Sequence, residues 1–141
     1  MKNNNMIFTY NTETGISVCE ILYNNNTFKG EAHCHEEDFD FMSERVGMTI
    51  AEVRANIALM KHMRDNEIKP QIKVLKHLYA NIRNSKNHNP KSHETRMLRR
   101  NIRQLEFELH AISNAIADER KFIKDYIDGK EKLYQRIRSG R

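Results

Sequence analysis

The sequence contains few of the residues that interrupt helices or crosslink small domains. Among its 141 residues there are two prolines, five glycines, two cysteines and no tryptophan. The two cysteines, Cys19 and Cys34, are too few for a disulfide framework, so we expect a reducing compartment. So little proline and glycine is typical of a chain that forms long helices.

Long apolar runs are also missing from the sequence. No stretch reaches the about 20 apolar residues that a membrane-spanning helix needs, and no apolar segment of a secretory signal follows residues 1–5. We therefore expect neither membrane association nor secretion. With 38% hydrophobic and 30% charged residues, the composition favours a soluble, helix-rich protein over a disordered one.

The stretch from Asn89 to Ser139 predicts a helix longer than a globule of this size. Asn89-Pro90 predicts its start, because Asn is a good N-cap and Pro suits the first helical position. A helix over 92–139 would span roughly 70 Å, whereas a compact chain of this length is about 35–40 Å across. Its apolar stripe therefore needs a second long helix, from this chain, from another copy or from both. The stripe comprises Leu98, Ile102, Leu105, Leu109, Ile112 and Ile116, and continues less strictly with Ile123, Ile127, Leu133 and Ile137.

The preceding segments predict a β-meander and a first helix. Apolar and β-branched runs at 6–10, 16–23 and 27–35 are separated by turn residues, which indicates three antiparallel strands. In the second strand the alternation slips between Val18 and Cys19, a pattern compatible with a bulge. In the first helix Pro70 removes a hydrogen bond, so we expect a kink or short break near Asn66.

These elements together predict an α+β fold. An N-terminal three-stranded antiparallel meander would pack on a long antiparallel helical hairpin that oligomerises through its helices. We expect a single domain over residues 1–141, with the meander at 1–41. The first helix would cover 42–84, kinked near Pro70, and the long second helix 89–139.

Positive charge is concentrated where the hairpin is predicted to turn. Between Lys69 and Arg103 there are ten Lys or Arg and one acidic residue, whereas the rest of the chain has a net charge of −4. Guanidinium groups suit phosphate, and a helix N-terminus adds partial positive charge. An anion site is thus indicated, the alternative being a solvated basic face around an ordinary turn. Four arginines share one helix face by their i, i+3, i+4, i+7 spacing: Arg96, Arg99, Arg100 and Arg103.

The other sequence patterns give weaker evidence for a functional site. In His33-Cys34-His35 the cysteine points away from the two histidines on a strand, so the three cannot bind one metal ion. The acidic connector 36–40 suits the start of a helix better than acid–base catalysis. The sequence contains no phosphate-binding glycine loop, nucleophile elbow or zinc-protease motif. We therefore expect a binding protein rather than an enzyme, with no cofactor and no metal.

Two short segments carry a resemblance to a known family. Residues 28–34 (FKGEAHC) are followed by residues 46–55 (VGMTIAEVRA), and a long helical hairpin follows both. The whole chain thereby resembles the Thoeris anti-defence sponge family of phages. The resemblance implies a homodimer or larger homo-oligomer in the host cytoplasm. It would bind a cyclic ADP-ribose signal made by bacterial TIR enzymes, such as glycocyclic ADP-ribose, without cleaving it. Some members also bind cyclic di- or trinucleotides at a second site.

The resemblance also implies a pocket at a dimer interface, lined by arginines, an aromatic and an asparagine. The matching residues here are Arg54, Tyr79, Asn89 and Arg103, with Arg96, Arg99 and Arg100 near them. Arginines would hold the phosphates of a small phosphorylated cyclic nucleotide, and Tyr79 would stack on its base. Two alternatives remain open: a nucleic-acid-binding module that uses the basic hairpin tip, and a scaffold or inhibitor that binds an acidic protein.

Overall fold

The computed structural model describes residues 5–33, 44–85 and 89–140. Its strands are β1 (Met6–Asn11), β2 (Ile16–Tyr23) and β3 (Asn26–His33). Its α-helices are α1 (Glu44–Met63), α2 (Lys69–Arg83) and α3 (His93–Gly140), and a π-helical turn, Arg64–Ile68, joins α1 to α2. The predicted α+β class is confirmed, because a three-stranded antiparallel sheet packs on a helical region.

The chain forms two compact units. The sheet unit comprises Met1–Met60 and Ile116–Arg141, and the hairpin unit comprises Lys61–Ala115. In the sheet unit, buried residues of β2, β3 and α1 form the core, and Ile123 and Ile127 of α3 pack against it. In the hairpin unit, Lys76 of α2 and Glu106 of α3 form an ion pair with 2.9 Å between Nζ and Oε2.

Both turns of the meander follow from their residues. Asn11 accepts hydrogen bonds on its side-chain oxygen from two main-chain amides of the first turn, and Gly15 closes that turn with a φ of 71°. Asn24 and Asn25 form the second turn with φ values of 48° and 63°. Two successive positive φ values match the twist of a two-residue hairpin, and Asn tolerates them better than most residues.

The register of β2 contradicts the expected bulge. Val18 pairs with Glu31 and Cys19 pairs with Gly30, without a skipped residue. Cys19 is fully buried while Val18 is half-buried, so apolar residues occupy both faces of a regular strand. The last two residues of the predicted third strand, Cys34 and His35, lie outside the described residues.

Helix α1 approaches the sheet through small residues. A Cβ built on Gly30 would overlap the carbonyl oxygen of Ala51 and the amide nitrogen of Ala55, and one on Gly47 would overlap Oγ of Ser17. Ser17, Ala51 and Ala55 have no exposed surface. Only glycine at position 30 therefore allows the two backbones to lie this close.

The π-helical turn lies where the sequence predicts an irregular helix. Asn66 is its central residue, and Lys69 donates its main-chain N–H to the carbonyl oxygen of Arg64, five residues earlier. Pro70 has no N–H for the carbonyl four residues before it, and the wider turn accommodates this loss. The predicted break is thus a change of helical geometry rather than an end of the helix.

The apolar stripe of α3 is largely covered within the chain. Ile102 and Ile116 are 8% and 2% exposed, and the following members, Ile123 and Ile127, pack on the sheet-unit core. The final members, Leu133 and Ile137, are exposed. Oligomerisation through the helices therefore stays a prediction. Over the described ranges, every helix is too short or too polar to span a bilayer.

Candidate anion-binding site

The site is positioned by the way α3 begins. Ser92 accepts a hydrogen bond on Oγ from the main-chain N–H of Thr95 at 3.2 Å, and its hydroxyl donates to Oγ1 of Thr95 at 2.8 Å. Thr95 is only 1% exposed, so this capping pair fixes the first turn of the helix. The prediction that Asn89 caps the helix is wrong.

Asn89 instead starts the turn that precedes α3. Its carbonyl oxygen accepts a hydrogen bond from the N–H of Ser92 at 3.0 Å, and its side-chain oxygen accepts one from Lys91 at 3.0 Å. Asn followed by Pro suits the first two positions of a β-turn as well as it suits a helix start. The helix begins at His93, four residues after Asn89.

The first three turns of α3 carry a depression of about 440 Å³ lined mainly by arginine. We call this surface the arginine face. It brings together four of the residues predicted from the sequence, since their helical spacing places them within two turns of one another. Its lining residues are His93, Arg96, Met97, Arg99, Arg100 and Arg103.

The electrostatic surroundings of the arginine face are strongly positive. Residues 61–115 contain twelve Lys or Arg and five Asp or Glu, a net charge of +7 within a chain whose total is +5. Among the described residues, no carboxylate pairs with any of the four arginines. The carboxylates one to two turns further along have other partners, because Glu106 binds Lys76 and Glu108 binds Gln104. The arginines therefore repel one another, and a bound anion would relieve that repulsion.

Arg99 differs from the other three arginines. It is half-buried, and its Nη2 donates to the carbonyl oxygen of Pro90 at 3.5 Å. Its Nε is buried without a hydrogen-bond partner, which costs stability. Arg99 thus connects the preceding turn to the helix, whereas Arg96, Arg100 and Arg103 are exposed.

The remaining predicted site residues have other surroundings. Tyr79 is half-buried on α2 in the hairpin unit, and Asn89 is exposed in the turn before α3. Arg54 belongs to the sheet unit, where its Nη1 donates to the carbonyl oxygen of Glu31 at 2.7 Å. The structure therefore assembles the four arginines, with Asn89 at the adjoining turn, and gives Arg54 a separate partner.

Three residues at or beside this surface are not among the predicted site residues, although His93 belongs to the basic segment that the sequence indicates. His93 and Met97 line the depression. Phe107 follows Arg103 by one helical turn and is 69% exposed. A sequence signal existed for Phe107, because it follows Arg103 by four positions and Arg100 by seven, which places the three side chains on one helix face. The apolar stripe of α3 lies on the opposite side of the helix.

The polar cluster on the outer face of β3 consists of one ion pair and one hydrogen bond to Glu31. Glu31 lies 3.1 Å from Nε2 of His33 and 3.5 Å from Nζ of Lys29. The hydrogen bond from His33, with the charge of Lys29, holds the pKa of Glu31 below its usual value. Within the ranges that the structure covers, no three side chains of metal-binding type come together. Cys34, His35 and the connector 36–40 lie outside those ranges.

No family model, curated protein or solved structure matches the chain.

Proposed function

We propose that this protein binds a small phosphorylated cyclic nucleotide at the arginine face and sequesters it. The observation that carries the proposal is the grouping of Arg96, Arg99, Arg100 and Arg103 around one depression, without a carboxylate partner in the described part of the chain. Phosphate oxygens accept paired hydrogen bonds from guanidinium groups and neutralise their charge.

The size of the arginine face favours a compact ligand. From Arg96 to Arg103 the helix rises roughly 10 Å at about 1.5 Å per residue. One pyrophosphate with its attached sugars fits this length, whereas a nucleic acid gains most of its affinity from contacts spread along many phosphates. A ligand of ADP-ribose type therefore matches the surface better than a polymer.

Sequestration fits the side chains that line the depression. They comprise four arginines, one histidine and one methionine. This set offers charge and hydrogen-bond donors, and the imidazole of His93 is its one group that can serve as a nucleophile or general base. Binding without cleavage requires only affinity, so the proposed activity is not enzymatic.

The resemblance to the Thoeris anti-defence sponges supports a specific ligand. In this proposal the ligand is a cyclic ADP-ribose signal such as glycocyclic ADP-ribose, and its capture in the host cytoplasm blocks TIR-based immunity during phage infection. A homodimer or larger homo-oligomer would enclose the open arginine face. Light scattering of the purified chain tests the assembly separately from ligand binding, and a strictly monomeric species would exclude it.

Calorimetry with cyclic ADP-ribose and with pyrophosphate tests the arginine face. We expect Arg100→Ala and Arg103→Ala each to weaken binding about tenfold or more, as for the loss of one charge-assisted hydrogen bond. Arg120→Ala is the matched control, because Arg120 is also exposed on α3 but does not line the arginine face. Mass spectrometry should recover the ligand intact. If both arginine-face variants bind as tightly as the parent and the control, or if the ligand is recovered cleaved, the proposal is overturned.

The net charge of +7 in residues 61–115 also favours a second function, nucleic-acid binding. Affinity would then rise with oligonucleotide length and fall steeply with salt, because each neutralised phosphate releases counterions. Cyclic ADP-ribose would not compete. A titration series of single-stranded oligonucleotides of increasing length, with and without cyclic ADP-ribose, separates the two functions.

A further inference from the structure

We infer that Phe107 stacks on the base of the ligand, so that the arginine face selects nucleotides over inorganic phosphates. This role rests on the proposed function, because the phosphates must lie on the arginines for the base to reach Phe107. It assigns the stacking position to a residue other than Tyr79. It also defines the ligand class as one that carries both a base and a phosphate.

The exposure of Phe107 is the first observation. Its side chain is 69% exposed, and no other large apolar residue in the described ranges is more so. An aromatic ring left in water forgoes the favourable burial that its apolar surface offers. In contrast, Tyr79 is half-buried within the hairpin unit, which leaves less of its ring available to a ligand.

The helical position of Phe107 is the second observation. It follows Arg103 by four residues, Arg100 by seven and Arg96 by eleven, so all four side chains lie on one face of α3. Four residues correspond to about 6 Å along the helix axis, a separation that a ribose can bridge between a phosphate and its base. The ring thus extends the row of exposed guanidinium groups.

The surroundings of the ring are the third observation. Phe122, on the same helix, stacks on Tyr126 with ring centroids 5.8 Å apart. Phe107 makes no such ring contact with the described residues. Its flat face is therefore open to a base, and stacking on an aromatic side chain tolerates any base because every base has a π-face.

A tryptophan reporter tests this inference directly. The chain contains no tryptophan, so Phe107→Trp introduces a single tryptophan at the proposed stacking position. We expect ADP and cyclic ADP-ribose to quench its emission, and pyrophosphate to bind without quenching. The control is Phe122→Trp, which places the same reporter on α3 in the sheet unit. Its emission should not respond to any of the three ligands.

The affinity of Phe107→Ala completes the test. Calorimetry should show about tenfold weaker binding of ADP, as for the loss of one base–aromatic stack, with the affinity for pyrophosphate unchanged within about twofold. If ADP binds parent and variant equally while pyrophosphate still binds, the stacking role is wrong and the arginine proposal stands. If pyrophosphate does not bind the parent, the arginine proposal itself fails. If Phe107→Ala changes only the oligomeric state, Phe107 lies in a contact between copies and the inference is overturned.

Discussion

Arg54 donates a hydrogen bond from Nη1 to the main-chain carbonyl oxygen of Glu31, across 2.7 Å. The bond joins α1 to β3, which is an edge strand in the order β1-β2-β3. Edge strands expose unpaired carbonyl groups, and Arg54 satisfies one of them. The family resemblance implies that Arg54 contacts the ligand. A role in binding ligand and a role in stabilising the edge strand predict different effects of substitution.

We expect Arg54→Ala to lower the free energy of unfolding by about 1 kcal/mol, the typical net value for one hydrogen bond, because the bond is exposed to solvent. Urea denaturation measures this change. Pyrophosphate affinity should stay within about twofold of the parent, because Arg54 bonds to the backbone of β3 and is not among the residues that line the arginine face. A large loss of affinity with unchanged stability would instead place Arg54 in the ligand site.

The contact between Gly30 and Ala51 predicts a second stability effect. A Cβ at position 30 would overlap the backbone of α1 at Ala51 and Ala55, and backbone atoms cannot move aside cheaply. We expect Gly30→Ala to destabilise the protein by about 2–3 kcal/mol, as for an overpacked core. Thermal unfolding followed by circular dichroism measures this.

Gly129 provides the matched control for that substitution. It lies in α3, and a Cβ there would have no atom within 4 Å. We expect Gly129→Ala to raise stability by about 0.5–1 kcal/mol, because alanine restricts the unfolded chain and favours the helix. Equal stability of Gly30→Ala and the parent would show that α1 does not lie against β3 as closely as the structure indicates.

Local signals in the sequence were sufficient for much of the fold. The turn residues Gly15, Asn24 and Asn25 predict the meander because each adopts a positive φ that few other residues tolerate. Asn11 contributes through its side-chain oxygen, which accepts two main-chain hydrogen bonds of the first turn. Pro70 predicts the position of the irregular helical turn because the hydrogen bond that it cannot donate would reach a carbonyl only one turn earlier. These effects depend on neighbours in sequence, so the sequence alone reveals them.

Features that depend on tertiary contacts were predicted less well. Asn89 and Ser92, three positions apart, are both good N-cap residues. Ser92 is the cap in the structure because its side chain forms two hydrogen bonds with the buried Thr95. The hydrogen-bond partner of Arg54 is 23 residues away in sequence, so no local pattern predicts it. The apolar stripe of α3 predicts which side faces inward, but only the structure shows that Phe107 remains exposed on the other side.

The start of α3 allows a direct comparison of two substitutions. Ser92→Ala removes a cap hydrogen bond to Thr95 and leaves the Oγ1 of Thr95 without its donor, so we expect a loss of about 1 kcal/mol. Asn89→Ala removes one exposed hydrogen bond to Lys91 and should cost no more than about 0.5 kcal/mol. Urea denaturation of both variants gives the order, and the reverse order would restore Asn89 as the cap.

Cys19 predicts a pH dependence of stability. Its side chain is fully buried, and burial, followed by the charges of Glu52 and Glu20, raises its pKa from 9.0 to about 11. The unfolded chain therefore releases this proton first as the pH rises. The contribution of the protonated Cys19 thiol to the free energy of unfolding is complete below pH 9.0 and is lost between pH 9.0 and about 11. Over that range the free energy of unfolding falls by at most about 1.4 kcal/mol per pH unit.

A Cys34→Ser background isolates the Cys19 thiol for measurement. In that variant we expect no reaction with a thiol reagent at pH 8 under native conditions and full reaction in urea, because the thiolate is the reacting form and the native thiol is buried and protonated. The additional Cys19→Ala substitution should flatten the decline in stability between pH 9 and 11, while Tyr and Lys titrations common to both variants cancel in the difference. Rapid native labelling of Cys19, or the same pH dependence in both variants, would contradict the buried position of Cys19 beneath α1.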